Sequence, residues 1–506
     1  MPTVYDELPY PGAPYAQTHP DRLATMATLF GMTPAAVERC RVLELGCGDG
    51  GNVIPMAFAL PESRFLGVDL SASAIARGHE LIRTLSLSNI TLQHLDLMEM
   101  TRGSGEFDYI IAHGLYSWVP PAAREQILKL CKSHLAPHGV AFISYNTYPG
   151  GHLRDTIREM MQYHTRGVTR ARERVDRARE LLEFLVEAHA GSDDVYAVFL
   201  RAEMRSFLER KPEHFFHDEL NEHNARFHFH EFMEQAGRHG LQYLSEARLA
   251  SMQTGVYPPE VSQKLRTFCH DDEIAKEQYL DFLKLRNLRQ TLLCHKDIQV
   301  ERIANTQRVM SLSAATDAKP SSPEPDVRSD KAEEFRYPKG GAMSTNHPLA
   351  KAAILHLGRI WPEAVPFREL LRVARSLSGR NAAESAAPSQ EDANWLADMI
   401  LKLFAANFLE LHVHAPSFAC QASERPASSA LARAQVRERS EVTNLRHASV
   451  EVQDEAARQL LALLDGTHNR RELLEQLRAR GHSSEITAEQ LEANLAKLAN
   501  LALLAA

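Results

Sequence analysis

Short apolar runs alternate with amphipathic helical stretches between residues 41 and 150. The runs RVLELG, RFLGVDL, ITLQHLDL, FDYIIAH and GVAFISYN have the length and aliphatic content of buried strands. Helical periodicity lies between them, as in SASAIARGHELIRTL and AAREQILKLCKSHL. This alternation predicts an α/β fold in which a parallel-type sheet is covered by helices on both faces.

The pattern becomes helical after about residue 152, and apolar residues recur at helical spacing through 175–186. We therefore predict a helical middle domain over 166–312. Residues 313–345, SAATDAKPSSPEPDVRSDKAEEFRYPKGGAMST, are polar and rich in proline. They have few large apolar side chains to bury, so we predict a flexible linker there.

The last part of the chain, 346–506, contains a weak internal repeat. PFRELLRVA resembles NRRELLEQL, and MILKLFAANFLEL resembles NLAKLANLALL. Each half has the helix–turn–helix order of a winged-helix unit, so an α+β winged-helix-like C-terminal domain is expected. From residue 341 onwards the chain has 18 Lys and Arg against 19 Asp and Glu. Without the basic face of a DNA-binding module, this domain is expected to bind protein or to be structural.

Composition limits the partners and the compartment. The net charge of −8 gives no overall attraction to nucleic acid or to an anionic membrane. The six cysteines form no C-x-x-C pair, and no apolar run reaches the roughly 20 residues of a membrane span. With no signal-peptide pattern at the start of the sequence, a cytoplasmic protein is expected. The histidines between 214 and 230 lack an H-E-x-x-H motif, so we predict no metal.

The strongest motif is VLELGCGDGGN at 42–52, a strand followed directly by a glycine-rich turn. Gly46 and Gly48 let the backbone approach a ligand where a Cβ would collide. Glu44 lies two residues before the turn, where it would repel a pyrophosphate. A cationic, phosphate-free ligand such as S-adenosylmethionine would be attracted instead.

Two further acidic residues follow the next strands. Asp69 ends the second strand, where a carboxylate can accept both ribose hydroxyl protons. Asp96 follows the third strand and would face the adenine amino group, with apolar contacts to the ring from Leu70, Leu95 and Leu97. A single glycine turn or aspartate can be purely structural. The glycine turn, Asp69 and Asp96 occur in this order at the carboxyl ends of consecutive strands, and together they predict a cofactor site.

At these residues the chain resembles class I methyltransferases, which have a Rossmann-like fold. YDELPYPGAPYAQTHPDRLATMATLFG, HGLYSWVP and SYNTYPGG are similar to bacterial methyltransferases with a methyltransferase regulatory domain. That group includes rickettsial protein lysine methyltransferases acting on outer-membrane protein. KLRNLRQTLLCH resembles the regulatory domain, and VTNLRHASVEV and LLDGTHNRRELL resemble the C-terminal domain.

The resemblance implies a Rossmann-like domain over 37–165 and a lid over 1–36. It implies that the cofactor is S-adenosylmethionine and that His113, after the fourth strand, lines the methyl-transfer site. The lid residues that would fold over the cofactor are Tyr5, Tyr10, Tyr15 and His19. The resemblance and the long apolar-faced helix near 170–190 also allow a homodimer.

Methyl transfer to a lysine needs a deprotonated amine, although the reference pKa is about 10.4. Aromatic faces attract the sulfonium and the methylated ammonium. The candidate catalytic residues at this edge of the sheet are His113, Tyr116, Trp118, Asn146 and Tyr148. Each aromatic residue could equally pack a strand end, and His113 could act as a base or position a substrate carbonyl.

A protein lysine is the preferred acceptor. Y-N-T departs from the N-P-P-[YF] signature of amino methyltransferases acting on nucleobases or glutamine. Two alternatives stay open. One is a methyltransferase acting on a small molecule or natural product, and the other is a scaffold that senses the cofactor without turnover.

Overall fold

The computed structural model describes residues 8–338, 340–380, 390–480 and 487–506. Its central sheet begins with parallel strands in the order β3-β2-β1-β4-β5. These strands are β1 (Arg41–Leu45), β2 (Arg64–Asp69), β3 (Ile90–His94), β4 (Phe107–Ala112) and β5 (Leu135–Thr147). The predicted α/β fold and all five predicted strands are therefore confirmed.

Helices cover the parallel part of the sheet. They are α1 (Pro20–Leu29), α2 (Val53–Ala59), α3 (Ala72–Thr84) and α4 (Pro121–His134). The capping chemistry is local: the Ser71 side chain accepts a hydrogen bond from the Ala74 amide at the start of α3, and α4 begins with Pro121. The buried strand residues and the inner faces of these helices form one continuous apolar core.

The middle of the chain also contributes strands, which periodicity did not predict. They are β6 (Arg226–Phe227), β7 (Leu241–Glu246) and β8 (Leu288–His295). β8 lies antiparallel between β5 and β7, and β6 pairs with the end of β5. The sheet therefore continues beyond the predicted boundary at residue 165.

A buried ion network fixes this extension of the sheet. Arg289 on β8 donates hydrogen bonds to Glu246 on β7 and to Glu277 and Asp281. All four side chains are almost fully buried. A buried charge is stable only when paired and hydrogen-bonded, so this network favours one register for the antiparallel strands.

Helices of the middle region form two groups. The first has its own apolar core and consists of α5 (Gly151–His164), α6 (Ala171–Ala188), α7 (Val195–Leu208) and α8 (Pro212–Glu219). The second consists of α9 (Phe229–Arg238), α10 (Pro259–Cys269) and α11 (Glu273–Lys284). The first group lies over the carboxyl ends of the parallel strands and is called the cap below.

The expected linker at 313–345 is wrong, because this segment is folded. It holds β9 (Ser313–Ala315), β10 (Lys319–Pro320), β11 (Glu333–Arg336) and β12 (Ala342–Thr345). Phe335 is fully buried, and the Tyr337 ring stacks on Phe408 at 4.3 Å. A few aromatic anchors and strand pairing are enough to order a segment of polar composition.

The C-terminal region packs as two parts. Strand β9 pairs with β13 (Val365–Pro366) and β14 (Glu410–His412), beside α12 (Pro348–Ile360), α13 (Phe367–Leu377) and α14 (Gln390–Ala405). This first part shares the main core. The second part has a separate core and consists of α15 (Ala430–Val436), β15 (Glu441–Thr443), β16 (Ser449–Glu451), α16 (Glu455–Leu463), α17 (Arg470–Ala479) and α18 (Ala488–Asn500).

Candidate active site

A cavity of about 1180 Å³ lies at the carboxyl ends of β1, β2, β4 and β5. One wall is the glycine-rich turn with the loops after β2, β3 and β4. The N-terminal segment and the cap form the opposite wall. Ligands of open α/β sheets bind at this edge, so the cavity is the candidate active site.

The glycine turn leaves room for a ligand. Gly46 and Gly48 have φ of +72° and +56°, in the region that favours glycine. A Cβ at Gly48 would meet no described atom within 4 Å, so this backbone faces open space. Asp69 holds the turn, because its Oδ2 accepts from the Gly48 amide and its Oδ1 from the Ser71 amide, both at 2.8 Å. Burial raises the pKa of Asp69, and the two backbone donors oppose that shift.

Glu44 is the buried carboxylate beneath the turn. Its Oε1 accepts a hydrogen bond of 2.7 Å from Asn52 Nδ2. Its Oε2 is buried without a hydrogen-bond partner among the described residues. Burial, reinforced by Asp69 and Asp49, raises the pKa of Glu44 to about 8. A cationic ligand that donates a hydrogen bond would satisfy both the oxygen and the charge.

The loops after β2 and β3 form an apolar slot with an acidic end. Leu70, which is 57% exposed, lines the cavity together with Leu95 and Leu97. Asp96 Oδ1 accepts from the Met98 amide at 2.9 Å, which fixes the carboxylate at the cavity wall. The structure thus brings together every cofactor-binding residue named from the sequence.

The N-terminal segment covers this site, as expected for a lid. Tyr10 and Tyr15 line the cavity, whereas Tyr5 lies outside the described residues. Gly12 lies directly on the glycine turn: a Cβ at Gly51 would come within 2.4 Å of the Gly12 carbonyl carbon. Glycine at both positions permits this backbone-to-backbone approach.

His19 was predicted to belong to the lid wall, but it does not line the cavity. Its Nδ1 accepts from the Asp21 amide at 3.2 Å, which caps α1. Its ring lies 5.2 Å from the ring of His447. A histidine directly before Pro20 at a helix start is well placed to cap, and this local role explains its position.

His113 lies between the cofactor side and the lid. Its Nδ1 is 2.8 Å from Ser144 Oγ, which also accepts from the Gly114 amide at 2.8 Å. Its ring is 4.1 Å from the Tyr15 ring in an edge-to-face contact. Burial lowers the pKa of His113 to about 4, so the imidazole is neutral at physiological pH. Such a weak base is better suited to positioning than to removing a proton from an ammonium.

The other predicted catalytic residues divide into two pairs. Trp118 and Asn146 line the cavity, and Asn146 Nδ2 donates to Asn224 Oδ1 at 2.9 Å. Tyr116 does not line it: the side chain is fully buried, and its hydroxyl donates to Gln235. Residues 116–118 form a 3-10 turn, whose three residues per turn direct Tyr116 and Trp118 to different sides.

Tyr148 also lies away from the cavity. Its ring stacks on His152 at 4.1 Å, and its hydroxyl is 3.5 Å from Asp155 Oδ2. It follows the end of β5, where the chain turns into α5, so it packs on that helix. The structure therefore does not place Tyr148 in the lining of the cavity.

The cap supplies site residues that the sequence analysis missed. Asp218 and Glu219, at the end of α8, line the cavity opposite the glycine turn, with Arg154, Arg210 and Arg226. Arg210 Nη1 lies 3.3 Å from Asp218 Oδ2 and 2.8 Å from Glu219 Oε1. Helical periodicity shows which face of α8 is buried but not which strand ends it covers, so the sequence held no clear signal for these residues.

Three of the histidines between 214 and 230 contact other groups of the protein. His217 Nε2 contacts the Leu8 carbonyl, and the His214 ring packs against Tyr10 at 5.0 Å. His230 Nδ1 is 2.9 Å from Gln278 Oε1. Within the described part of the chain, no three His, Cys, Asp or Glu side chains are arranged to hold a metal ion. Nor does any described helix combine the length and apolar character needed to cross a membrane.

Comparison with known proteins agrees with this geometry. Family models named methyltransferase domain, predicted methyltransferase regulatory domain, and PKMT, C-terminal winged helix domain match residues 42–139, 211–295 and 424–505. Protein RP789 of Rickettsia prowazekii is 38% identical over 378 residues, which cover 74% of this chain and 68% of that protein. Protein RP028 of the same organism is 37% identical over 47% of this chain and 96% of its own length.

A solved structure extends the match to almost the whole chain. PKMT2 from Rickettsia typhi is 28% identical, with a TM-score of 0.87 over 98% of this chain and 100% of that one. It has also been solved in complex with AdoHcy. The chain belongs to the bacterial methyltransferases that combine a regulatory domain with a PKMT winged-helix domain. It is an enzyme that uses S-adenosylmethionine, and its Rossmann-like, helical and winged-helix regions follow the family order.

The residues of this site fit that cofactor. The orphaned Oε2 of Glu44 suits its positively charged methionine end, Asp69 suits the ribose hydroxyls, and Asp96 with the leucine slot suits the adenine. The group supplies a methyl on a cationic sulfur, which leaves as a neutral thioether. These residues of the chain would bind and orient it.

Glu44 should make cofactor binding depend on pH. A pKa of about 8 means that the ligand-free protein holds a proton on Glu44 at neutral pH. A cationic ligand favours the ionised carboxylate, so binding releases that proton and affinity rises from pH 6 to pH 8, by at most about tenfold per pH unit. Titration calorimetry in buffers of different ionisation enthalpy would measure the release. Glu44→Gln should remove it, and equal pH slopes in both proteins would contradict this assignment.

Proposed function

We propose that this enzyme N-methylates lysine side chains of a protein substrate. The observation that carries the proposal is the cluster of Asp218, Tyr10 and Tyr15 in the cavity lining, beside the Arg210 that pairs with Asp218. Burial of Tyr10 and Tyr15, together with the nearby charge of Asp218, raises the pKa of both tyrosines, that of Tyr15 to about 12. A carboxylate between aromatic side chains is a site for an alkylammonium group.

The size of the cavity supports an acceptor beside the cofactor. At about 1180 Å³ it exceeds the roughly 300–1,000 Å³ of most small-molecule pockets. The cavity extends to the cap, where lining residues come from α5, α8 and the loop that follows α8. Tyr15 stands between the two halves, because its ring contacts His113 and its hydroxyl interacts with Tyr10.

The chemistry that these residues must perform is limited. The bond from the lysine nitrogen to the methyl carbon forms as the bond from that carbon to sulfur breaks. The ammonium must first lose a proton, and Asp218 or water beside it is the acceptor. Burial raises the pKa of Asp218, although Arg210 opposes this shift, so the carboxylate is a better base than an exposed aspartate. Burial of the amine lowers the lysine pKa and assists the same step.

The relatives support a protein acceptor. The C-terminal family model and the Rickettsia typhi structure both bear the name PKMT, which abbreviates protein lysine methyltransferase. The winged-helix domain has no excess of basic residues, which is consistent with a protein partner rather than DNA.

The experiment is a methylation assay read by intact-mass and peptide mass spectrometry. The enzyme and cofactor are incubated with lysine-rich proteins, with the same proteins after chemical acetylation of their lysines, and with a small-molecule extract. We expect methyl increments on lysine residues of the unmodified proteins alone. Methylation confined to the extract would contradict the proposal and support a small-molecule acceptor. Cofactor binding without any methylated product would support a sensing scaffold.

A further inference from the structure

A hairpin of the C-terminal winged-helix domain reaches the cofactor site. His447 lies in the turn between β15 and β16 and is 6% exposed. The Asn444 side chain accepts hydrogen bonds from the Arg446 and Ala448 amides at 3.0 and 2.9 Å, which fixes the turn. The tip therefore presents a rigid, buried imidazole to the methyltransferase domain.

The imidazole contacts Asn52, the residue that holds Glu44. His447 Nε2 is 2.9 Å from Asn52 Oδ1, and Asn52 Nδ2 donates to Glu44 Oε1 at 2.7 Å. The Tyr15 amide also donates to Asn52 Oδ1, at 2.9 Å, which settles the orientation of the Asn52 amide. Because Oδ1 can only accept, His447 must donate from Nε2, as the neutral tautomer with its proton there.

A second contact joins the same domain to the lid. Arg439 Nη1 donates to the Gly12 carbonyl at 3.1 Å, and Gly12 lies on the glycine turn at Gly51. Arg439 precedes β15 and His447 follows it, and both contacts end on residues that line the cavity, Gly12 and Asn52. Sequence separations of 395 and 427 residues show that only tertiary folding brings them together.

We propose that the winged-helix domain completes the cofactor site, with His447 as a positioning residue that acts on Glu44 through Asn52. When the hairpin is docked, Asn52 is held with its Nδ2 towards Glu44, and Glu44 Oε2 is left free for the cofactor. When it is not docked, Asn52 keeps its bonds to the Tyr15 amide and to Thr18 but loses the donor from His447, so its hold on Glu44 is weaker. Docking of this domain and binding of the cofactor are therefore coupled, and each should strengthen the other.

The test compares two replacements of His447 in the full-length protein by titration with S-adenosylhomocysteine. His447→Phe keeps a ring but removes the donor, whereas His447→Gln keeps an N–H that can reach Asn52. Both place a side chain on the same left-handed backbone (φ of +54°), so backbone strain cancels between them. We expect about tenfold weaker binding for His447→Phe and less than about threefold for His447→Gln. His468→Phe, in the same domain but bonded among the described residues to Thr467 and Asp465, should bind like the wild type.

A double-mutant cycle tests the route through Glu44. In a Glu44→Gln background, His447→Phe should weaken S-adenosylhomocysteine binding by less than about a further twofold. The reason is that the contact between Asn52 and Glu44, which His447 supports, has already been altered. Unchanged binding by a folded His447→Phe protein, or equal losses for the Phe and Gln variants, would overturn the proposal. If His447→Phe does not fold, Arg439→Met tests the same coupling through the lid. We expect this variant to bind S-adenosylhomocysteine about threefold more weakly, and unchanged binding would contradict the proposal. No acceptor is needed, so the outcome is independent of the lysine assignment.

Discussion

Replacing Asp69 with alanine is expected to weaken S-adenosylmethionine binding by at least about 100-fold and to abolish methyl transfer. Hydrogen bonds to a charged group contribute about 1.5–3 kcal/mol each, and Asp69 is placed to accept two from the ribose. The substitution also removes the acceptor for the Gly48 and Ser71 amides, at 2.8 Å each. The glycine turn would lose its anchor along with the ligand contact.

The variant Asp69→Asn keeps the shape of the side chain and removes its charge. Both carboxylate oxygens of Asp69 accept from a backbone N–H, so an asparagine must point its own NH2 at one of those donors. Asp69→Asn is therefore expected to lose affinity almost as severely as Asp69→Ala. Calorimetric titration measures both. The control is Asp108→Asn, which alters an aspartate that accepts from the Arg41 amide at the opposite end of the sheet. Cofactor affinity within about threefold of wild type in Asp69→Asn would contradict the role assigned here.

The parallel half of the sheet could be predicted from the sequence because its information is local. Each strand from β1 to β5 is a short apolar run bounded by turn residues, and the glycine turn follows β1 directly. The ends of parallel strands meet at one edge, so strand order alone placed Glu44, Asp69 and Asp96 together. To predict these cofactor-binding residues, no contact between distant elements had to be known apart from the pairing of the strands in the sheet.

The other elements depend on pairings that periodicity cannot show. Strand β8 lies antiparallel beside β5, although a long segment that holds the cap, β6 and β7 separates the two in sequence. Its Arg289 looks unlike a buried strand residue until its three carboxylate partners are known. The segment 313–345 was mistaken for a linker because its burial rests on a few residues such as Phe335, packed against elements far along the chain.

The acceptor half of the site was the least predictable part. Tyr116 and Tyr148 were selected because they follow strand ends, but one turn directs Tyr116 into the core and the start of α5 holds Tyr148. Asp218 arises instead from a helix about 160 residues after the glycine turn. Its role depends on how the cap is oriented over the sheet, which only tertiary structure defines.

Replacing Asp218 with asparagine should therefore reduce lysine methylation by about 100-fold while cofactor affinity changes by less than about threefold. The amide keeps the size of the side chain but neither attracts an ammonium nor accepts its proton. The remaining activity should rise more steeply with pH, because the amine must then be deprotonated by solvent. Single-turnover rates on a lysine-containing protein across pH, alongside S-adenosylhomocysteine titration, would measure both effects.

The matched control for that variant is Glu222→Gln, which removes an exposed carboxylate from the rim of the same cavity. If Asp218 acts on the acceptor nitrogen itself, Glu222→Gln should retain most of the activity, because a charge at the rim affects encounter more than the methyl-transfer step. Equal losses in the two variants would mean that only the general acidity of the cleft matters. A parallel loss of cofactor affinity in Asp218→Asn would instead place this residue with the lid, through Tyr10 and Tyr15, and not with the acceptor.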